Sequence, residues 1–354
     1  MTGITDRQIM KTLDQAGERY ALLPLQNGVT VLICERGGRV FGPFLTAGAE
    51  SLYWVNQALG ERESFTRLLA SDWNLGGERL WVEPEIQYIC RDRQRFYESE
   101  VVPPEMDPGN WRLEQVGAET WHLANEMTLE AYNLACGRKR LRMERLIRPA
   151  EDPLRLLRDH TQLTEGVVYA GYEQVVTLTE AEHDDILSGA WVLIQLQPGG
   201  TLWIPCSPGV EVTDHFEPID ADYQTVHPHH VALRITGQRR YKVGFKAAHV
   251  TGRLAYFNRP DSDLAYLLVR ALFSNPSSVY PEEPPNLPGS RGESVHVYND
   301  DGGYGGFGEL EVHGQTIGGE TGKSSSSDLV LLWLYVGAPE RLKLIARHLL
   351  GIEV

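Results

Sequence analysis

The apolar residues of this chain come in short runs, and turn-forming residues cut them apart along most of its length. Tyr20–Leu25, Val29–Cys34 and Arg39–Leu45 are divided by Asn27-Gly28 and Gly37-Gly38, pairs that reverse a chain between antiparallel strands. Past Thr161 the same cadence runs through Val167–Leu178, Ala190–Gln197, Thr201–Pro205, His230–Ile235, Tyr241–Phe245 and Arg253–Phe257. Their separators are rich in Gly, Pro, Asp and Asn. Strands do not alternate with long helical segments, which argues against a parallel α/β fold. The expectation is an all-β chain, a single large β-sandwich with a few short peripheral helices.

Helical signals gather at the two ends. Thr5 and Gln8 fit a capping box ahead of Ile9, Leu13 and Ala16, and Gly17 can end that helix. Residues 339–350 carry Pro at the start, Leu342, Ile345, Ala346 and Leu349 on one face, and Gly351 at the stop. Leu59–Ala70 fits a helix or a covering loop, and Leu264–Phe273 a strand or a helix. Gln87–Arg91, Trp121–Tyr132 and Leu141–Arg148 read as strands, as do Ser294–Asn299, Glu309–His313 and Leu329–Val336. Asn275–Glu293 and Gly314–Asp328 are expected as loops, the second a mobile one because of its four consecutive serines. No repeat or clear linker divides the chain, so residues 1–354 are expected to form one domain.

Composition narrows the partners. A formal charge of -15 over 354 residues argues against a nucleic-acid or anionic-membrane surface. Cys34, Cys90, Cys136 and Cys206 form no C-x-x-C pair and read as free thiols of a reducing compartment. The N-terminus lacks the basic-then-apolar order of a signal peptide, and the longest apolar run, Leu329–Val336, is too short to span a bilayer. The expected location is the cytoplasm. The sequence has no phosphate loop, nucleophile elbow or H-E-x-x-H. The string Gly302–Gly308 resembles G-x-G-x-x-G but lies among strands with no helix after it.

Four stretches carry possible chemistry. In Gly76–Glu85 two glycines precede Arg79, Trp81 and a Pro84-Glu85 stop. On a strand Arg79 and Trp81 share a face, a planar cation beside a broad ring, which suits a polar ring such as a sugar. The alternative is a glycine turn feeding a strand whose tryptophan packs in the core. Glu309, Glu311 and His313 alternate with Leu310 and Val312, so two carboxylates and an imidazole share one side of a strand, as acid–base chemistry needs. A solvated strand face is the competing account. Lys242 and Lys246 oppose Tyr241, Val243 and Phe245, with His249 just beyond. His227-Pro228-His229-His230 could begin a metal site through His227 and His229, but the acid such a site needs does not follow it; an exposed turn is the favoured reading.

The G-G-x-R-L-W-x-x-P-E string at Gly76–Glu85, the W-x-L-x-Q-x-x-P-G segment at Trp191–Gly199, the Trp203–Pro208 block, the Y-K-x-G-F segment at Tyr241 and the late E-L-E at Glu309 occur in an order that resembles an uncharacterised bacterial branch of the galactose mutarotase-like (aldose 1-epimerase-like) superfamily. The resemblance covers roughly residues 20 to 351. It implies a β-supersandwich with a sugar-binding concave face, no cofactor, and a small-molecule sugar or sugar derivative as partner. Arg79 matches the family's substrate-binding arginine, with Trp81, Glu85, Lys242 and Trp203 as further binding candidates. Glu309 or Glu311 would be the base on the anomeric hydroxyl, and His249 or His313 the acid on the ring oxygen. The family's histidine motif has no recognisable counterpart here, so a protein that binds sugar without turnover stays open beside an epimerase.

Overall fold

The Asn27-Gly28 and Gly37-Gly38 pairs do reverse the chain, joining its first three strands as antiparallel neighbours. The computed structural model describes residues 3–70, 72–260 and 265–354. Its strands in chain order are β1 (Tyr20–Pro24), β2 (Thr30–Cys34), β3 (Arg39–Phe44), β4 (Glu78–Glu83), β5 (Arg112–Gly117), β6 (Thr120–Ala131), β7 (Gly137–Pro149), β8 (Val168–Glu180), β9 (Gly189–Leu196) and β10 (Thr201–Pro205). After these come β11 (Val212–Asp214), β12 (Gln224–Val226), β13 (His230–Arg234), β14 (Tyr241–Lys246), β15 (Arg253–Asn258), β16 (Ala265–Leu272), β17 (Glu293–Asn299), β18 (Gly308–His313) and β19 (Ser325–Gly337). The helices are α1 (Asp6–Ala16), α2 (Arg62–Leu69), α3 (Glu85–Tyr88), α4 (Phe96–Ser99), α5 (His160–Leu163) and α6 (Pro339–Leu350). No helix among the described residues is long and apolar enough to cross a membrane.

Among the described residues the strands form two antiparallel sheets, and the expected all-β supersandwich is what the chain builds. A nine-stranded sheet runs β1-β2-β3-β4-β9-β18-β17-β14-β11, and a ten-stranded sheet runs β12-β13-β10-β15-β16-β19-β8-β7-β6-β5. Their facing sides bury one large apolar core, to which Leu80, Val82, Leu310 and Val312 contribute from one sheet and Met143, Val176 and Leu332 from the other. At its centre sits a charge. Glu78 is fully buried, with Arg145 Nη2 at 2.5 Å and Arg270 Nη2 at 3.3 Å, and it also accepts hydrogen bonds from Tyr172 and Gln174. Burial alone would raise its pKa, but the two guanidiniums hold it below the usual value. The helix α6 covers the outer face of the ten-stranded sheet through Leu342, Ile345, Ala346 and Leu349. The capped α1, with α2, covers one end of the outer face of the nine-stranded sheet through Ile9, Leu13 and Phe65.

Two local expectations are corrected and one open alternative is resolved. Gln87–Arg91 is not a strand: the chain turns into α3 after Pro84, and the Glu282 carboxylate accepts the first backbone N–H groups of that turn, from Glu85 and Ile86. The ambiguous run at 264–273 is a strand over Ala265–Leu272, with Leu264 outside the described residues. The serines are not all loop, because Ser325–Ser327 open β19. Their hydroxyls pair across to Thr179 at 2.8 Å and Thr177 at 3.2 Å on β8, which gives a polar run a reason to be strand.

Candidate active site

Strand alternation turns one face of the nine-stranded sheet into a polar floor. On β4, Leu80 and Val82 point into the core, so Arg79, Trp81 and Glu83 point outward. Register carries this face across the sheet. Arg79 pairs with Leu193, Leu193 with Glu311, and Glu311 with His296. Gln195, Glu309, Tyr298 and Lys242 form the next cross-strand row, and Trp81, Trp191 and His313 the row on the other side. Arg79 can sit here because of the glycines before it. Gly76 and Gly77 have φ of +91° and +77°, and a Cβ on either would lie 2.6 Å from a backbone oxygen, of Trp54 and Val40 respectively.

The side chains on this floor are paired with one another. Arg79 Nη1 donates to Glu309 Oε1 at 2.8 Å, and Gln195 Nε2 donates to the same oxygen at 2.9 Å. The Arg79 guanidinium lies over the Trp81 ring at 4.1 Å and the Trp73 ring at 4.8 Å. Trp81 Nε1 donates to Asp107, which is ion-paired to Arg39. Lys242 Nζ donates to Glu85 Oε2 at 2.6 Å, lies 3.5 Å from Glu311 Oε2, and sits over the Trp191 ring at 4.8 Å. Trp191 Nε1 donates to Glu311 Oε2 at 3.0 Å.

Above the floor, α4 and three loops add aromatic walls. Phe96, Tyr97 and Phe216 pack within 5.4–6.1 Å of one another, and Arg240 lies over Tyr97 and Tyr304. The glycine-rich loop at 300–308 holds Tyr304 in place: Asp300 Oδ2 accepts the backbone N–H groups of Gly302, Tyr304 and Gly306. That string is a turn around a carboxylate. Between floor and walls lies a chamber of about 50 Å³ that Arg79, Trp81, Glu85, Lys242, Glu309 and Glu311 all line, together with Glu100.

Four carboxyls therefore face one small space, and their surroundings divide them. Glu309 and Glu85 are held in ion pairs with Arg79 and Lys242. Burial pushes Glu311 up to about 7, against the opposing pull of Lys242, and the neighbouring Glu309 adds to the rise. Burial likewise pushes Glu100 up to about 7, with Glu85 adding to it. Burial alone would lower the Lys242 pKa, but Glu311, Glu85 and Glu282 raise it above its ordinary value, so it stays a cation.

Beside this chamber the floor continues into a buried histidine row. His313 stacks on Trp191, and its Nε2 donates to His296 Nδ1 at 2.8 Å. His296 Nε2 and His215 Nε2 donate to Glu293 Oε2 at 2.8 and 2.7 Å. This polarity leaves His313 Nδ1 as an acceptor facing Glu83 Oε2 at 2.5 Å. Burial pushes Glu83 well above the carboxylate range, toward the protonated form whose O–H can donate to that nitrogen, and pushes His313 down to about 3. Gly244 makes room for the row, since a Cβ there would lie 1.9 Å from Glu293 Oε2. The triplets His215, Glu293, His296 and His296, Glu311, His313 each bring three ligand atoms within 4.8 Å, close enough to hold a cation.

The sequence candidates separate cleanly. Arg79, Trp81, Glu85, Lys242, Glu309 and Glu311 meet at the chamber. His313 shares their sheet face, but both its ring nitrogens are turned to His296 and Glu83. His249 is placed elsewhere: it is exposed in the turn before β15, bonded to Ser207 Oγ at 2.8 Å. Trp203 belongs to the other sheet, stacked on Phe257 in the core beneath α6. His227 and His229 join no three-ligand group among the described residues. Sequence reasoning missed Trp191 and His296, which alternation on β9 and β17 could have flagged. It also missed Trp73, Glu100, Tyr97 and Phe216, which come from α4 and from loops without a period to read.

A search of curated proteins returns no match. Solved structures similar to the chain include a candidate aldose 1-epimerase of Escherichia coli K12, 11% identical, covering 90% of this chain and 100% of that one with a TM-score of 0.49. Two others are a galactose mutarotase-like protein of Lactobacillus casei ATCC 334 (8% identical, 89% and 100% covered, TM-score 0.43) and a galactose mutarotase related enzyme of Lactobacillus acidophilus (7% identical, 90% and 97% covered, TM-score 0.45). The model of one family of unknown function matches residues 8–354.

Proposed function

The chain belongs to the family of unknown function DUF6786, and we propose that this member is a carbohydrate-active protein that interconverts sugar anomers by acid–base ring opening. The observation that carries the reading is the division of the four carboxyls. Two are neutralised by cations, and two, Glu311 and Glu100, titrate near neutral pH in the same aromatic-walled space. One acid and one base of matched strength are what this reaction needs.

The steps follow from the chemistry of a hemiacetal. Glu311 as carboxylate takes the proton of the C1 hydroxyl, and that oxygen's electron pair forms the aldehyde C=O. The bond from C1 to the ring oxygen breaks, and Glu100 as carboxylic acid delivers its proton to the departing oxygen. Rotation about the bond from C1 to C2 presents the other carbonyl face, and the reverse transfers close the ring as the other anomer. Arg79 and Lys242 serve as hydroxyl donors, while the aromatic walls of the chamber offer apolar surface to the ring's C–H groups. Glu100 replaces the histidine expected as acid.

A sugar-binding protein without turnover is the second reading. It is favoured by one observation: no imidazole among the described residues lines the chamber. Polarimetry on freshly dissolved single anomers, run beside thermal-shift titrations with the same sugars, separates the two. Stabilisation with accelerated mutarotation supports the enzyme. Stabilisation without acceleration across the panel supports the binder, and neither effect with any sugar sinks both.

A further inference from the structure

The chamber at the carboxyls is small. A water molecule occupies roughly 10–15 Å³ of such a volume, so about 50 Å³ holds a few waters and not a whole pyranose with its substituents. Directly against it lies a second cavity of about 380 Å³, a volume within the roughly 300–1,000 Å³ of ordinary small-molecule sites. Trp73, Glu100 and Tyr304 line both cavities, so the two share a wall.

That wall is anchored from both sides. The Trp73 carbonyl accepts a hydrogen bond from Arg39 Nη2 at 2.9 Å, and Asn74 Nδ2 donates to the Tyr304 carbonyl at 3.1 Å. The Trp73 and Tyr304 rings lie 6.4 Å apart. The lining of the larger cavity mixes apolar surface from Leu69, Val101 and Pro104 with the polar groups of Arg36, Asp72 and Glu100. A saccharide ring presents the same mixture, C–H faces that rest on apolar surface and a rim of hydroxyls that needs donors and acceptors.

We propose that the two cavities are consecutive subsites for one extended ligand, a reducing oligosaccharide whose C1 edge enters the small charged chamber while its next sugar residue occupies the larger cavity. This rests on the carbohydrate reading of the site above. It accounts for a narrow reactive space that admits only the C1 edge of a ring, beside a roomier one with no reactive pair of its own. Glu100, on the shared wall, faces both the ring oxygen of the inner residue and the hydroxyls of the next. The ligand class is a disaccharide or longer with a free reducing end; a monosaccharide fills only part of the site and binds more weakly.

Thermal-shift titrations test this with glucose, maltose and maltotriose, and with galactose and lactose, on wild type, Val101→Trp and Ala70→Trp. Val101 and Ala70 are exposed positions on the lining of the larger cavity, so an indole there fills it with little effect on the core. The expected result is half-maximal stabilisation by at least one disaccharide at a concentration tenfold or more below that of its monosaccharide. Each tryptophan variant, melting like wild type without sugar, brings the disaccharide's response down to the monosaccharide's. Monosaccharides binding as well as disaccharides, or both variants keeping the full preference, would overturn the extended-ligand inference and leave the carbohydrate reading standing. No stabilisation by any of these sugars would overturn both.

Discussion

Glu311 is one residue whose state depends on everything packed around it. Its ordinary value lies near 4.5, and burial raises it to about 7 in the folded chain. Between those two values the folded protein holds a proton that the unfolded chain has released, so the linkage slope is negative. The contribution to stability is full below about 4.5 and is lost as pH rises through about 7. Glu311→Gln is neutral at every pH and escapes that loss. Its Tm relative to wild type is expected to climb from pH 5 to pH 8 by about 2 °C or more, as read by differential scanning calorimetry. A difference independent of pH would show that folding does not raise the Glu311 carboxyl toward neutral pH. Arg79 is tested by shape, not charge. Lysine retains the cation but loses the planar group that stacks on Trp81 and Trp73 and reaches Glu309. Arg79→Lys is therefore expected to weaken sugar binding about tenfold in thermal-shift titration with the fold intact.

At the scale of elements, β4 and β18 bring Arg79 and Trp81 together with Glu309 and Glu311, with β9 between them. The alternation that places Arg79 with Trp81, and Glu309 with Glu311, was legible in the sequence because a strand buried on one face must alternate. Their convergence was not, because nothing in the spacing says that β9 pairs with both. His249 shows the limit from the other side. It lies just beyond Lys242 and Lys246 in the chain, yet the turn after β14 carries it away to Ser207. Trp203 failed for a related reason, since a tryptophan on a strand looks the same whether it faces a cleft or a helix such as α6. Glu100 had no readable signal, being placed by α4 and a loop. The glycine pair ahead of β4 can be tested directly. Gly77→Ala combines a left-handed φ with a Cβ 2.6 Å from the Val40 carbonyl. It is expected to cost about 2–3 kcal/mol in urea unfolding and to weaken sugar binding through displacement of Arg79. A variant as stable as wild type would show that the strand enters without need of glycine.

Over the whole molecule, the outer face of one sheet is given to chemistry and the space between the sheets to stability. Glu78 belongs to the second task, although it adjoins Arg79 in sequence. It binds Arg145 and Arg270 of the opposite sheet across the core. Replacing it with Gln leaves two guanidiniums buried without their counter-charge, which is expected to cost about 3–5 kcal/mol in denaturant unfolding monitored by tryptophan fluorescence. A cost below 1 kcal/mol would mean that the arginines find other partners. Alternation also told that residues 78 and 79 face opposite ways, but not which face was core, because both carry charge.

The proposed epimerisation requires Glu311 and Glu100 to form one acid–base pair. Exchange-spectroscopy NMR at pH 7 measures it most directly, through the rate at which the α and β anomers of a bound reducing sugar interconvert. Wild type is expected to accelerate that exchange, and Glu311→Gln and Glu100→Gln each to lose about 100-fold or more while still binding the sugar. Acceleration that survives both substitutions, or tight binding by wild type with exchange no faster than in buffer, would contradict it.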